Sequence, residues 1–542
     1  MKKYLHWIHQ VIRPFGLEMA VVFICQLLLS AIAVFFVIVS KKAVDFAVAK
    51  DMDALMLWCM VFVIVVLVRI ALQALQNFLT TKTEIRIKNS LRARIFNNML
   101  HIQTDGSVRR HSADVINRMQ EDVRVISNTC AAVLPGIFGA GMKFLAALAF
   151  FLVLDYRLAL IIAVMLPVGI FSGRYIVRKV RALTLDIRKN DSDVQSHLQE
   201  SVQHLTLIQS LEYEGESSAT LTALQGNLYG SELKRARFSI VSRVLISLAF
   251  ALAHAVAFIW SVAGIASGTV TYGMMTAFLQ LVTQIQRPLM ELSSEIPSLI
   301  RSVASIDRLM ELEDMPKEDD GKQLLYRQTA GIEFSHVDFA FADAPDRLIY
   351  KDFSYIFAPG SRTAIVGRTG VGKSTMIRLM MSFLKPVSGK VEIFSDKDGR
   401  HEVCAATRCN LVYVPQGNSL FSGTVRENLL MGNPEATDGQ LEEVLHTAAA
   451  DFVYDLKNGI DTECFEAGGG LSEGQAQRIA IARALLRPGS ILLLDEFSSA
   501  LDNETETLLL ERLISTLCRR TMIFITHRER IIDYCDSVLR LQ

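Results

Sequence analysis

The sequence predicts a multi-domain chain in which an all-α transmembrane domain of six helices precedes an α/β domain. Two observations lead to this prediction. Long apolar runs without Asp, Glu, Lys or Arg occupy much of residues 1–312, as expected of helices that cross a membrane. After residue 331, short apolar strands alternate with helices, which is typical of an α/β sheet.

The composition averages these two unlike parts. Of the 542 residues 51% are hydrophobic, and 56 Lys and Arg are balanced by 56 Asp and Glu. A mean hydropathy of +0.31 is high for a wholly soluble protein. A formal charge of zero argues against a protein whose main task is electrostatic binding of nucleic acid, so we expect no nucleic-acid partner. The partner expected for the apolar half is a lipid bilayer.

Six apolar segments are candidate membrane spans, because about 18 or more apolar residues can cross a bilayer as a helix. Arg69 and Lys143 interrupt the second and the third. The last two form one uncharged stretch with Ser267-Gly268-Thr269 at its middle, which indicates a tight turn. The six are residues 19–40, 54–75, 133–154, 158–176, 244–264 and 272–292.

Basic residues gather in two long connecting segments, 79–129 and 174–243. Since Lys and Arg mark the cytoplasmic side of a membrane, this predicts a multi-pass protein of the plasma or inner membrane with both termini and the α/β domain in the cytoplasm. Loop 41–53 carries three lysines on the predicted outer side, in conflict with this topology. A reducing cytoplasm also predicts free thiols, since the eight cysteines have no metal-site spacing.

The two long segments lack helix breakers over most of their length, so we expect the membrane helices to continue outward as hairpins. The tips are predicted at 112–118 and 205–210, where apolar residues recur at helical spacing. A charged linker, 313–330, then separates the transmembrane domain, 1–312, from the α/β domain, 331–542.

Polar residues within the spans allow two interpretations. Lys143 either attracts an anionic headgroup or acidic substrate, or snorkels or pairs with a neighbouring helix. His254 either faces a cavity or, as is favoured, forms an interhelical hydrogen bond. Four residues of the sixth span either line a pathway or join helices: Gln280, Thr283, Gln284 and Gln286.

A phosphate-binding loop follows the predicted strand 363–366 and precedes a predicted helix, 375–384. Its glycines let backbone N–H groups surround phosphates at a helix N-terminus, Lys373 reaches the outer phosphates, and the Ser374 hydroxyl binds Mg2+. The pattern G-x-x-x-x-G-K-[ST] thus predicts an ATP site in a P-loop NTPase domain. Its residues are Gly367, Arg368, Thr369, Gly370, Val371, Gly372, Lys373, Ser374 and Thr375.

Other polar residues follow predicted strands, at the edge where open α/β sheets bind ligands. Strand 491–494 ends in Asp495 and Glu496, which predicts a magnesium ligand and a general base. Strands 522–525 and 411–414 are followed by His527 and Gln416. Beside the phosphate loop, these residues predict an ATPase.

A further motif, Leu471-Ser472-Glu473-Gly474-Gln475, resembles the signature of ATP-binding cassette (ABC) proteins. The order of Gln416, this motif, the acidic pair, residues 498–502 and His527 is similar to that family throughout. Six spans followed by one such ABC ATPase domain resemble an exporter-type half-transporter, similar to bacterial multidrug, lipid and peptide exporters. The resemblance covers nearly the whole chain.

This resemblance implies a dimer, because each ATP lies between the phosphate loop of one chain and the signature of the other. Ser472, Gly474 and Gln475 would then contact the partner's ATP, and Asp502 would couple the two sites. A homodimer is favoured. Glu473 stands where the family usually has glycine, which leaves a heterodimer with a second half-transporter open.

The resemblance also implies further roles. Phe341 would stack on adenine, where the family usually has tyrosine, and a ring face is what stacking requires. His527 would hold the γ-phosphate and the attacking water, and Gln416 would sense Mg2+. Loop 462–468, with Glu466, would contact the hairpin tips. A charged hairpin is expected at 395–409, with Asp398-Gly399 as its turn.

The resulting prediction is an ATPase coupled to transmembrane movement of a substrate, with ATP and Mg2+ as cofactors. Export of a small molecule, lipid or peptide of hydrophobic or amphipathic character is favoured. An importer built on the same fold, as for siderophores, and a membrane channel or regulator are the alternatives. The sequence does not identify the substrate.

Overall fold

The computed structural model of the chain describes residues 2–103, 112–318, 321–341, 344–465, 470–517 and 519–541. Contacts divide the chain into two compact units, the first formed by Met1–Phe96 with Ile116–Glu313 and the second by Asn97–Val115 with Asp314–Gln542. The predicted bounds of 1–312, 313–330 and 331–542 stay predictions.

The first unit is helical. Two π-helical turns, Arg118–Asp122 and Thr129–Val133, interrupt the helix that enters the third predicted span. The ten helices described up to the linker are α1 (Lys2–Ile12), α2 (Gly16–Ala49), α3 (Met52–Leu100), α4 (Ser112–Asn117), α5 (Val123–Asn128), α6 (Leu134–Leu154), α7 (Tyr156–Gln203), α8 (Leu205–Ser210), α9 (Glu214–Ala266) and α10 (Tyr272–Glu313).

Four helical stretches in the described part of the chain are long and apolar enough to cross a membrane. They are Lys3–Ala49, Met52–Leu100, Val115–Leu154 and Glu214–Ala266, and each contains one predicted span. The predicted spans 158–176 and 272–292 lie in α7 and α10. A helical membrane domain is therefore confirmed, and the count of six spans stays a prediction.

The long helices extend beyond the predicted spans and form a helical hairpin, whose cytoplasmic position stays a prediction. α7 and α9 contain 48 and 53 residues and pack against each other, with α8 as the turn between them. Leu205 and Leu207 of α8 are more than half exposed. The other predicted tip, 112–118, begins in α4, and side chains 112–114 lie outside the described residues.

Several polar side chains inside the first unit form hydrogen bonds between helices, as the second interpretation predicts. His254 Nε2 lies 3.1 Å from the Thr283 hydroxyl, which confirms the interhelical hydrogen bond. Gln280 Nε2 donates to the Ser40 hydroxyl at 2.9 Å. Gln284 Nε2 donates to a carbonyl of α2 at 2.8 Å. Gln286 bonds within α10, and Lys143 is half-buried.

The second unit contains a parallel sheet of five strands in the order β11-β3-β10-β9-β6 and an antiparallel sheet in the order β2-β1-β4-β5. Strands β7 and β8 form a separate small pair. The strands are β1 (Gly331–Ala340), β2 (Leu348–Phe357), β3 (Arg362–Gly367), β4 (Ser388–Ser395), β5 (Gly399–Glu402), β6 (Leu411–Val414), β7 (Gly423–Thr424), β8 (Glu463–Cys464), β9 (Ile491–Asp495), β10 (Thr521–Ile525) and β11 (Ser537–Leu541).

Helices cover this parallel sheet, and its inner strands β9 and β10 are buried on both faces. In β9, Leu492 and Leu494 pack into one apolar cluster and Ile491 and Leu493 into the other, because successive side chains point to opposite faces. The helices are α11 (Lys373–Met380), α12 (Val425–Leu430), α13 (Asp438–Thr447), α14 (Glu473–Leu485), α15 (Asn503–Thr516) and α16 (Glu529–Asp533). The predicted α/β domain is confirmed.

Two local predictions were inaccurate. The helix after the phosphate loop ends at Met380 rather than at 384. The chain turns soon after Met380, at Ser382, which has a φ of 55°. The charged hairpin is formed by β4 and β5, so it spans 388–402, and 405–410 is a 3-10 helix. Its turn lies at Asp398-Gly399 as predicted, because Gly399 adopts φ of 80°.

Candidate functional site

The phosphate loop connects β3 to the start of α11 and requires glycine at two places. Gly370 and Gly372 have φ of 86° and 112°, which side chains with a Cβ rarely adopt. A Cβ on Gly372 would also lie 2.7 Å from the Ile349 side chain. The Tyr350 hydroxyl donates a hydrogen bond to the Gly372 carbonyl at 2.8 Å, which ties the loop to β2. Glycine at these two positions therefore permits the backbone turns of the loop before α11.

Lys373 begins α11 with 6% of its surface exposed. Its ammonium donates to the Gly367 carbonyl at 2.8 Å and contacts His527 Nε2 at 2.6 Å. Burial lowers the pKa of Lys373, against the effect of the Glu496 and Asp495 carboxylates. Burial disfavours the charged form of Lys373, and an anion bound at the loop would stabilise that charge.

Asp495 ends β9 and is 3% exposed. The Ser374 hydroxyl lies 3.5 Å from one of its oxygens, and the Tyr413 hydroxyl lies 3.5 Å from the other. Burial raises the pKa of Asp495, and the hydrogen bond from Ser374 opposes it. A divalent cation would stabilise the charged form of the Asp495 carboxylate. The oxygen atoms of Asp495 and Ser374 are the type of ligand that Mg2+ prefers.

Glu496 follows Asp495 in a left-handed conformation, with φ of 46°. A residue other than glycine adopts this conformation at a cost, which its surroundings must offset. Its backbone N–H donates to the Ile525 carbonyl at 3.0 Å. Gln416 Nε2 donates to one carboxylate oxygen at 2.6 Å, and His527 Nε2 lies 3.3 Å from the other. These contacts fix a carboxylate at the carboxyl edge of the sheet.

The signature residues form the beginning of α14. Ser472 is its N-cap, accepts a hydrogen bond from the Gln475 backbone at 3.2 Å, and donates its own backbone N–H to the Gln475 side chain at 2.9 Å. A Cβ on Gly474 would lie 2.7 Å from the Ala500 carbonyl, so glycine allows close packing there. Glu473 is exposed in the first turn.

Two further predicted residues lie outside these groups. Asp502 is the N-cap of α15 and accepts hydrogen bonds from the Glu504 and Thr505 backbones, which lower its pKa together with the Thr505 hydroxyl. Phe341 follows β1, is half-buried, and packs edge-on against Phe339 with ring centroids 5.2 Å apart.

The structure brings Lys373, Ser374, Gln416, Asp495, Glu496 and His527 together through direct contacts. Ser472, Gly474 and Gln475 instead contact one another and other residues of the same chain. The predicted loop residue Glu466 lies outside the described residues. All assigned roles stay predictions.

Sequence reasoning missed residues that support the site. Tyr413 precedes Pro415 and Gln416, so its place at the end of a predicted strand could have indicated it. Gln477 Nε2 donates to the Glu496 carbonyl at 3.4 Å, one turn after Gly474 on the signature helix. Tyr350 had no local signal, because 22 positions separate it from Gly372.

Two family descriptions match the chain. "ABC transporter transmembrane region" matches residues 19–289, and "ABC transporter" matches residues 350–499. The chain is 26% identical over 560 residues to the "Putative multidrug export ATP-binding/permease protein YgaD" of Bacillus subtilis (strain 168), covering 100% of this chain and 94% of that protein.

Further matches also extend over most of the chain. It is 28% identical over 508 residues to the "Fatty acid ABC transporter ATP-binding/permease protein" of Mycobacterium tuberculosis (strain CDC 1551 / Oshkosh), covering 93% of this chain and 79% of that protein. A solved bacterial Atm1-family ABC exporter with ATP bound has a TM-score of 0.81 and 25% identity, and the match covers 98% of this chain and 94% of that one. The chain belongs to the ABC transporters, as a half-transporter with its membrane region fused to its ATP-binding domain.

Proposed function

We propose that the chain is an ATP-driven exporter of a hydrophobic or amphipathic molecule. The observation that carries the ATPase part is the contact set in which Glu496 meets Gln416 and His527, and His527 meets Lys373. The names of two similar proteins, a putative multidrug export protein and a fatty acid transporter, support export of an apolar substrate.

In this proposal the residues at and around the sheet edge bind ATP and hydrolyse it. Backbone N–H groups of the phosphate loop and the Lys373 ammonium bind the outer phosphates. The Glu496 carboxylate accepts the proton of the attacking water, with Gln416 holding its orientation. His527 turns from Lys373 towards the γ-phosphate and the water. Phe341 presents a ring to adenine.

The Ser374 hydroxyl, the Asp495 carboxylate and the Gln416 amide would hold Mg2+, directly or through water. Bound there, the ion supplies positive charge against the phosphates. The buried oxygens of Asp495, which face the Ser374 and Tyr413 hydroxyls, support this assignment.

We also propose that the transporter is a dimer, with Ser472, Gly474 and Gln475 of one chain facing the ATP of the other. A homodimer is favoured, because this chain has its own Lys373, Glu496 and His527. The distribution of basic residues supports an inner or plasma membrane protein with both termini and the ATPase domain in the cytoplasm.

ATP binding would drive alternating access through the exposed hairpin tips. Shifting a two-state equilibrium from 1:99 to 99:1 needs about 5.5 kcal/mol of differential binding. Binding of two ATP molecules between two chains can supply this free energy. This enzyme would thus be a translocase, an ATPase coupled to transmembrane movement of its substrate.

Transport and ATP hydrolysis in inside-out membrane vesicles test this function. We expect ATP-dependent uptake of a fluorescent amphipathic dye or fatty acid into the vesicles, which corresponds to export from the cell. The Glu496→Gln variant in the same vesicles is the control and should show neither activity. Uptake only into right-side-out vesicles would contradict export, and absent ATP hydrolysis by the wild-type chain would contradict the ATPase itself.

A further inference from the structure

Arg528 follows His527 and contacts the loop that joins Glu496 to α15. Its Nη1 donates to the Leu501 carbonyl at 3.2 Å, and its Nη2 donates to the carbonyls of Ser499 at 3.3 Å and Leu501 at 3.2 Å. A planar guanidinium can hold several acceptors at fixed angles, which an ammonium cannot do. Arg528 therefore connects the chain after His527 to the loop after Glu496.

The same guanidinium faces a carboxylate inside the domain. Glu506 lies in α15 with 1% of its surface exposed, and its Oε2 is 3.1 Å from Arg528 Nη1. Neither carboxylate oxygen of Glu506 has a hydrogen bond of regular geometry in the described part of the chain. A buried charge is strongly unfavourable without an opposite charge beside it. Pairing with Glu506 therefore fixes the position of the Arg528 head group.

The loop 498–502 is held at both ends. The Ser499 backbone N–H donates to the Glu496 carbonyl at 3.2 Å, and Asp502 caps α15 at the other end. Between these ends Arg528 holds two of its carbonyls. The loop and the residue after His527 consequently share one anchor.

We propose that Arg528 is a positioning residue for ATP hydrolysis, which forms with Glu506 a strut that keeps His527 and the loop 498–502 in one arrangement. This inference rests on the proposed ATPase function. His527 contacts both Lys373 and Glu496, so a shift of its backbone changes the contacts of the reacting groups. The phosphate loop is not part of the strut. Arg528 should therefore determine turnover rather than ATP affinity.

The kinetics of ATP hydrolysis by the purified full-length chain in lipid nanodiscs test the strut. We expect Arg528→Ala to lower kcat by at least about tenfold and to change KM for ATP by less than about twofold. Arg528→Lys keeps the charge but loses the planar fork, so it should recover part of kcat. Arg530→Ala removes an exposed arginine two positions later and should retain the wild-type kcat.

Glu506→Gln provides an independent variant, because it keeps the size of the buried side chain and removes its charge. It should lower kcat by at least about threefold. The double variant with Arg528→Ala should be no slower than Arg528→Ala alone, since both changes break the same strut. Thermal unfolding shows which variants are folded, and Glu506→Gln decides the question if Arg528→Ala is not.

Two results would overturn the strut. One is wild-type kcat in folded Arg528→Ala or folded Glu506→Gln. The other is a parallel loss of ATP affinity and turnover that Arg528→Lys does not relieve, since that pattern indicates a general structural role. Failure of the proposed function is distinguishable from both, because the wild-type chain itself would then hydrolyse no ATP.

Discussion

The two sides of the predicted ATP site differ in how far they are assembled within one chain. At the sheet edge, side chains from distant parts of the sequence touch: Lys373 contacts His527 across 154 positions, and Gln416 contacts Glu496 across 80. At the signature, Ser472 and Gln475 bond to each other across three positions. The first side is a preorganised cluster, and the second is the stable, self-capped start of a helix.

Substitutions on the two sides of the site should therefore affect different properties of the protein. In the proposed ATPase, contacts within the sheet-edge cluster would set the geometry of the reaction, so changes there should reduce turnover without weakening the fold much. The signature residues stabilise α14 in the single chain, and their proposed chemistry requires a second chain. Changes at the signature should therefore combine a loss of helix stability with a loss of activity, and the two can be separated.

The largest effect is expected from Glu496→Gln. Removing a general base typically lowers a rate by about 10² to 10⁴. Gln keeps the size of the side chain and can still bond to Gln416, so ATP binding should remain. Steady-state ATP hydrolysis and equilibrium binding of a fluorescent ATP analogue measure the two quantities. Glu511→Gln, an exposed carboxylate of α15, is the control.

Near-normal hydrolysis by Glu496→Gln would remove this residue as the base. The left-handed backbone conformation of Glu496 would then be only structural, and the sheet-edge cluster would lack its proposed catalytic base.

The second largest effect is expected at Ser472. Ser472→Ala should cost about 1 kcal/mol of stability through the lost N-cap, and it should also remove a donor to the phosphate of the partner's ATP. Ser472→Asp keeps an N-cap and adds a negative charge, so we expect normal unfolding with ATP hydrolysis reduced by about 10². Thermal unfolding and ATPase rate, measured on the same preparation, separate the two losses.

The chain contains a matched control for the cap. Thr437 and Gln440 form the same reciprocal cap at the start of α13, away from the signature motif. Thr437→Ala should lower stability by a similar amount and leave the ATPase rate near normal. Equal ATPase losses in Thr437→Ala and Ser472→Ala, with a normal ATPase rate in Ser472→Asp, would show that helix stability, rather than phosphate contact, is what Ser472 provides.

The sequence predicted the parts of this comparison that depend on local pattern. Apolar runs predicted the long helices, and continuously apolar strands such as β9 predicted the buried sheet. The phosphate loop was recognisable because its glycines are required by backbone conformations at Gly370 and Gly372. The polar residues after β6, β9 and β10 were predicted to meet because parallel strands end at one edge.

Contacts that join distant positions were beyond this reasoning. Arg528 and Glu506 are separated by the whole of β10, and neither lies in a pattern that indicates the other. Glu496 combines a φ of 46° with a backbone hydrogen bond to Ile525, 29 positions later, and local sequence preference predicts neither. The helix end at Met380 was missed because Met381, Phe383 and Leu384 are apolar and prolong the helical pattern, whereas the chain turns at Ser382 and these three side chains pack into the core.

A third prediction concerns the exposed hairpin tips, which should affect coupling rather than catalysis. Leu207 and Ile116 are 54% and 57% exposed, and the proposed contact of the tips with the ATPase domains would cover them. Leu207→Asp or Ile116→Asp should lower transport by about tenfold, as for the loss of one or two apolar contacts, while basal ATP hydrolysis remains. Tyr229→Asp is the control, because Tyr229 lies on α9 and is 66% exposed.

Normal transport in both tip variants would place the coupling contact elsewhere. A parallel fall of ATP hydrolysis and transport would also contradict the prediction, because it would show that the tips support the fold rather than the transmission of movement.

The smallest effect is expected in the membrane unit, where polar side chains join helices. The hydrogen bond between His254 and Thr283 should contribute about 0.6 kcal/mol, as measured for interhelical hydrogen bonds in membranes. A double-mutant cycle of His254→Ala and Thr283→Ala, followed by unfolding in detergent micelles, measures this coupling. The same cycle with Thr276→Ala, whose hydroxyl bonds to its own helix, should give no coupling. A coupling of several kcal/mol would instead indicate that the pair is linked to a larger network, which would make the membrane unit as preorganised as the sheet edge.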